Sequence, residues 1–92
     1  MYKPEPIDTK DIELDGELME LMEKIAKHVH EVWAEGRIAE GWKYGTERND
    51  RKKETPCLVP YDELPEKEKD YDRKTATETL RLIIKMGYRL EK

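Results

Sequence analysis

Leu18-Met19-Glu20-Leu21-Met22-Glu23-Lys24-Ile25-Ala26-Lys27-His28-Val29-His30-Glu31-Val32-Trp33 decides the fold. Leu18, Leu21, Met22, Ile25, Val29, Val32 and Gly36 recur at steps of mostly three and four. At about 100° per residue they fall on one arc roughly 100° wide. Lys24, Lys27, His28, Glu31 and Glu35 lie mainly outside it. This is an amphipathic helix from about 16 to about 39. Asp15 precedes it as an N-cap, and Glu17 and Glu20 suit the positive end of the helix dipole. A second stripe, Ala26, His30, Trp33 and Arg37, runs beside the first. A helix core does not require that composition on its flank.

Upstream, Tyr2-Lys3-Pro4-Glu5-Pro6-Ile7 is Pro-spaced and reads as extended, because Pro removes donors and biases its predecessor away from helix. Residues 1–23 are acidic, with Lys3 and Lys10 against eight Asp and Glu. Residues 1–14 read as an extended acidic arm packed on the domain through Ile7, Ile12 and Leu14.

Downstream, the middle of the chain is irregular. Gly41-Trp42-Lys43-Tyr44-Gly45 reads as a short strand or ordered loop, and Glu47 to Glu54 as a polar turn. Cys57-Leu58-Val59-Pro60-Tyr61 is β-prone, with Pro60 confining it to an edge. Leu64-Pro65-Glu66-Lys67-Glu68-Lys69 reads as one helical turn opened by Pro. A second helix, about 73–86, follows Asp72 as N-cap. Ala76, Leu80, Ile83, Ile84 and Gly87 share one face, and Gly87 ends the helix in the left-handed conformation. The fold class is mainly α (α+β), with two helices joined by short strands and one helical turn.

The chain has 92 residues, one small domain, and its core must be modest. Leu, Ile and Val number only 17 and Phe is absent. That low aliphatic content raises the question of disorder, but disorder also needs high net charge. Eighteen basic against 22 acidic residues leave −4, and two Trp, five Tyr and four Met add apolar area, so the chain folds. The acidic balance gives no general attraction to nucleic acid. No apolar run is long enough to span a membrane, and the N-terminus lacks the apolar stretch of a signal peptide. Cys57 is the sole cysteine, which excludes a disulfide framework and a Cys-pair zinc site. A reducing, cytoplasmic location is expected.

Among candidate site residues, His30, Trp33 and Arg37 come first. An indole stacks on a flat ring, a guanidinium forks onto phosphate or carboxylate, and an imidazole donates a hydrogen bond. Arg48 and the turn around Asn49-Asp50 can add polar contacts. The plainer alternative is that Trp33 plugs the core edge while His30 satisfies a backbone carbonyl. Trp42 and Tyr44 point the same way if their segment is extended. Core closure by Trp42 is the ordinary alternative. His28 and His30 point about 200° apart on a helix and cannot chelate one ion. Cys57 sits in an apolar run and reads as buried and inert. No metal site, catalytic residue or cofactor is expected, and the chain is read as a non-enzyme.

The chain resembles the RyR domain, the repeat module of ryanodine-receptor calcium-release channels that also occurs in bacterial and phage proteins. His30-Glu31-Val32-Trp33-Ala34, Arg37-Ile38, Glu40-Gly41-Trp42, Tyr44-Gly45 and Arg48-Asn49-Asp50 carry the resemblance. It continues through Lys53, Pro56-Cys57-Leu58-Val59-Pro60-Tyr61, Leu64-Pro65, Glu68-Lys69, Tyr71-Asp72, Glu78-Thr79-Leu80 and Gly87-Tyr88. It spans about 8 to 90, and 1–92 is read as a single RyR-type domain, a stand-alone prokaryotic or phage copy. The family often carries Arg-Asp-Asp where this chain has Arg48-Asn49-Asp50. The resemblance implies a mostly helical module with a few short strands, an intradomain pair between Arg48 and Asp50, and twofold packing of copies, here as a homodimer. Ion conduction does not carry over, because no pore segment is present.

The expected function is a binding module for a small planar anionic ligand, a nucleotide or nucleotide-derived signal. Its expected ligand-binding residues are His30, Trp33, Arg37, Trp42, Tyr44, Arg48 and Asp50. The alternative is a protein-interaction module without a small-molecule ligand, using the acidic first 23 residues and the loop at 47–54.

Overall fold

A computed structural model describes residues 1–92. Helix α1 spans Gly16–Ala39, strand β1 Lys43–Tyr44, strand β2 Glu54–Thr55, and helix α2 Glu66–Lys85, with a 3-10 turn at Tyr61–Glu63 before α2. The fold is mainly α with one small sheet.

Asp15 caps α1: its backbone is extended and its carboxylate accepts the Leu18 N–H at 2.9 Å. Both helices end the same way. Gly41 and Gly87 adopt φ of +94° and +96°, where a side chain is strained. In α1 the Trp42 N–H donates to the Arg37 carbonyl and the Gly41 N–H to that of Ile38. In α2 Tyr88 donates to Ile83 and Gly87 to Ile84. Each pair of bonds satisfies carbonyls that the helix itself leaves open.

Helix α2 starts at Glu66, not near 73. The helical turn expected at 64–69 and the second helix are one continuous element, and Asp72 lies inside it rather than capping it. The stretch 66–75 carries no apolar period, so periodicity is silent there. What sustains it is helix-forming Glu, Lys and Arg, free of Gly and Pro, with Lys69 on Glu66 and Arg73 on Asp70 one turn apart. Pro65 sets the entry with φ −58° and has no N–H to lose.

The strand expected at Cys57–Tyr61 does not form; the pairing strand is Glu54–Thr55, parallel to Lys43–Tyr44. Segment 57–60 instead runs under α1, where the Val59 carbonyl takes a side-chain bond from His30. Between the strands the chain turns back, with Asn49 and Glu54 exchanging both backbone bonds at 2.9 Å. Lys53 closes this turn with φ 54°, and its ammonium donates to the Glu40 carbonyl at the end of α1.

The core is small and has two parts. Met22, Ala76 and Leu80 pack with Leu14 and Ile25, and Ala26, Tyr61 and Leu64 pack with Cys57 and Val59. On α1 the buried positions are therefore Met22, Ala26 and His30. The face meeting the core is the second stripe, not the centre of the apolar arc. Ala26 has no exposed surface, and Ala76 on α2 has almost none, so small residues sit where the chain packs tightest. Leu21 and Val32 of the arc are 38% and 53% exposed. From the arm, Thr9 is buried and its hydroxyl donates to Glu78 at 2.8 Å, while Asp11 pairs with Lys85 at 3.0 Å. No helix is long and apolar enough to cross a membrane.

Candidate functional site

The second stripe of α1 leads into a chain of stacked rings and cations. Tyr61 tilts against His30, and His30 stacks on Trp33 with centroids 5.6 Å apart and planes at 28°. The Arg37 guanidinium lies 5.8 Å from the Trp33 ring and 5.3 Å from that of Trp42. Arg48 lies 5.9 Å from the same Trp42 ring. Helical spacing places His30, Trp33 and Arg37 in a row. The Gly41 turn is what folds Trp42 back onto Arg37, because its N–H binds the carbonyl of that same residue. Cation–ring contacts of this kind contribute about 0.5–1 kcal/mol where exposed.

The imidazole and both guanidiniums of the row are already engaged. His30 Nε2 donates to the Val59 carbonyl at 2.7 Å, which fixes the proton on that nitrogen. Arg37 faces Glu40 at 3.6 Å. Arg48 Nε donates to Asp50 Oδ1 at 2.8 Å, which raises the guanidinium's proton affinity and holds the Asp50 carboxyl below the usual carboxylate range.

Beside the row, a cavity of about 270 Å³ opens between α1, α2 and the segment at 55–57. Its wall takes His30 and Trp33 from α1, Arg48 from the turn, Thr55 and Cys57 from the β2 region, and Leu64 near the 3-10 turn. Helix α2 supplies Glu68, Tyr71 and Asp72. Burial raises the Asp72 carboxyl above its ordinary value; nearby His30 opposes this and Glu68 adds to it.

Of the residues expected from sequence, His30, Trp33 and Arg48 come together on this wall. Arg37 sits next to Trp33, and Trp42 next to Arg37, but neither lines the cavity. Asp50 reaches it only through Arg48. Tyr44 is exposed on β1 and stands apart. Cys57 is half-buried at the cavity wall rather than sealed in the interior, and no hydrogen bond joins its Sγ to His30. Glu68, Tyr71 and Asp72 were not anticipated. Their signal is the spacing of three and four on a helix, legible only once α2 is known to run through 66–72. No three His, Cys, Asp or Glu side chains are grouped so as to hold a metal ion.

The largest concavity lies elsewhere, about 690 Å³ between the arm and α2, lined by backbone-proximal residues from Pro6 to Lys10 and by Lys74, Glu78, Thr79 and Leu82. It contains no aromatic ring. The smaller cavity carries the chemistry: two aromatic side chains, one guanidinium and two carboxylates. The family model described as RyR domain matches residues 2–92.

Proposed function

The chain belongs to the RyR domain family, and from that membership we propose that it is a non-enzymatic binding module whose ligand is a small planar nucleotide-like molecule. The observation that carries this reading is the cavity between α1 and α2, with Trp33 and Tyr71 as flat walls and Arg48 at its side. At about 270 Å³ it is smaller than the ~300–1,000 Å³ of sites that enclose a drug-sized molecule. It suits one ring system, with an anionic tail left outside toward Arg48. Against catalysis stands the engagement of His30, the one imidazole at the cavity, with a backbone carbonyl.

Calorimetric titration with purine mononucleotides and dinucleotides tests the reading. Binding to the wild type, lost in a folded Trp33→Ala variant, is the expected outcome. No heat with any of them removes it.

The module is proposed to work as a homodimer in the cytoplasm, without nucleic acid or membrane as partner. Only nine of 92 residues are buried, and the radius of gyration is 15.9 Å. A compact domain of this length has about 12 Å. Small domains with thin cores gain stability by association. The outer face of α1, where Leu21, Val32 and Ile38 are exposed, offers the apolar surface for it. The same face supports a second reading, docking to a different protein with no small-molecule ligand. In that reading the exposed Arg51 and Lys52 of the turn are further contacts, and their charge reversal would change what the chain pulls down.

A further inference from the structure

Glu68 and Asp72 stand one turn apart on α2 and line the same cavity. Neither carboxylate has a hydrogen-bonded or ion-paired partner within the chain, unlike Glu66, Asp70 and Glu23, which gather on Arg73. The only guanidinium on the cavity wall, Arg48, sits at its side and holds Asp50 through Nε. The inner part of the cavity therefore offers acceptors in surplus and no free donor of positive charge. A phosphate or carboxylate placed there would face two like charges, whereas a group rich in N–H would satisfy them.

The ring walls restrict that group to a flat one. Trp33 is stacked on His30 on one side, and Tyr71, 62% exposed, gives a second ring on the wall. A single carboxylate accepts two parallel N–H bonds, so it favours a ring edge with adjacent donors. Guanine has such an edge in its N1–H and 2-amino group. Adenine has only the 6-amino group there, next to an acceptor nitrogen that a carboxylate repels.

Resting on the nucleotide reading above, we propose that Asp72, with Glu68 beside it, reads the donor edge of a guanine-type base seated between Trp33 and Tyr71, so that the module selects guanine over adenine nucleotides.

Titration of the wild-type chain with GMP, IMP and AMP tests this without any variant. GMP is expected to bind at least tenfold tighter than AMP. IMP, which keeps N1–H but lacks the 2-amino group, falls between them. Asp72→Asn, checked for fold by circular dichroism, is expected to reduce the GMP preference to less than threefold. AMP binding as tightly as GMP, or a preference unchanged in Asp72→Asn, overturns the selectivity while leaving the nucleotide reading intact. Silence with all three nucleotides overturns the selectivity, and silence with the dinucleotides as well overturns the nucleotide reading. Tighter binding of N-acetyl-arginine amide than of GMP overturns it too, and assigns the carboxylates to a guanidinium on a protein partner.

Discussion

His30 and Val59 are joined by a 2.7 Å bond from the imidazole Nε2 to the backbone carbonyl, bridging α1 to the segment that precedes the 3-10 turn. The imidazole is 4% exposed and packs against Trp33 and Tyr61, so the bond is partly shielded from water. An orphaned buried carbonyl costs about 1–3 kcal/mol. His30→Phe keeps a flat, somewhat larger ring but removes the donor, and is expected to lose at least that much in urea denaturation. His30→Ala adds lost packing and should cost about 2–4 kcal/mol. A neutral His30→Phe would show that the bond does not hold the segment at 57–60.

Gly41 sets the position of Trp42. Its φ of +94° is a conformation that L-residues adopt at a penalty of about 1–2 kcal/mol. Gly41→Ala is therefore expected to destabilise the chain by that amount, although the added methyl meets only the end of the Lys53 stem at 4.0 Å. The loss should be accompanied by a changed tryptophan emission, because the turn carries Trp42 onto Arg37. Destabilisation with unchanged emission would separate the helix end from the ring stack.

Asp15 and Gly87 were readable because capping chemistry is local: one residue supplies an acceptor, the other a left-handed backbone. The apolar arc around Ile25 was readable too, but periodicity reports the width of an arc and not which neighbour covers it. Ala26 and Ala76 permit the close helix contact, and small residues weigh little in a hydropathy pattern. The contact therefore turned toward the second stripe and buried His30 while leaving Val32 outside. Tyr71 and Asp72 were legible only as a boundary. The polar run before them has no apolar beat, and its helix is held by side-chain charge pairs instead. Three of the nine residues on the cavity wall, Glu68, Tyr71 and Asp72, lie on that stretch of helix.

Acidity should act on α2 in two opposite directions. Arg73 binds Glu66, Asp70 and Glu23, and its bond to Glu66, helped by Lys69, holds the Glu66 carboxyl below its usual range. Stability from Glu66 is thus present above the unfolded carboxyl pKa of about 4.3 and is lost as pH falls through the lowered folded value. Asp72 is raised by burial, so its contribution is present in acid, below about 3.9, and is lost as pH rises through the folded value. Asp72→Asn should raise the urea midpoint at pH 7, with the gain vanishing in acid. Arg73→Met should lower the midpoint at pH 7, with the difference shrinking as Glu66 protonates. Midpoints measured from pH 3 to 7 check both. A gain from Asp72→Asn that persists at pH 3 would mean that the carboxylate's charge is not its source.

Val32 lies on the outer face of α1, 53% exposed, near exposed Ile38 and away from Ala26 and His30. A charge placed there touches no core residue, so Val32→Glu should alter monomer stability by no more than about 0.5 kcal/mol. If α1 pairs with α1 of a second copy, the same charge would be buried at the contact without a partner, where it costs several kcal/mol. The expected result is a wild type that sediments as a dimer and a Val32→Glu variant that sediments as a monomer with unchanged helix content. Because association depends on concentration, both proteins should be followed over at least a hundredfold dilution series. A wild type that stays monomeric throughout removes the twofold pair. A dimer that survives Val32→Glu moves the contact off this face of α1.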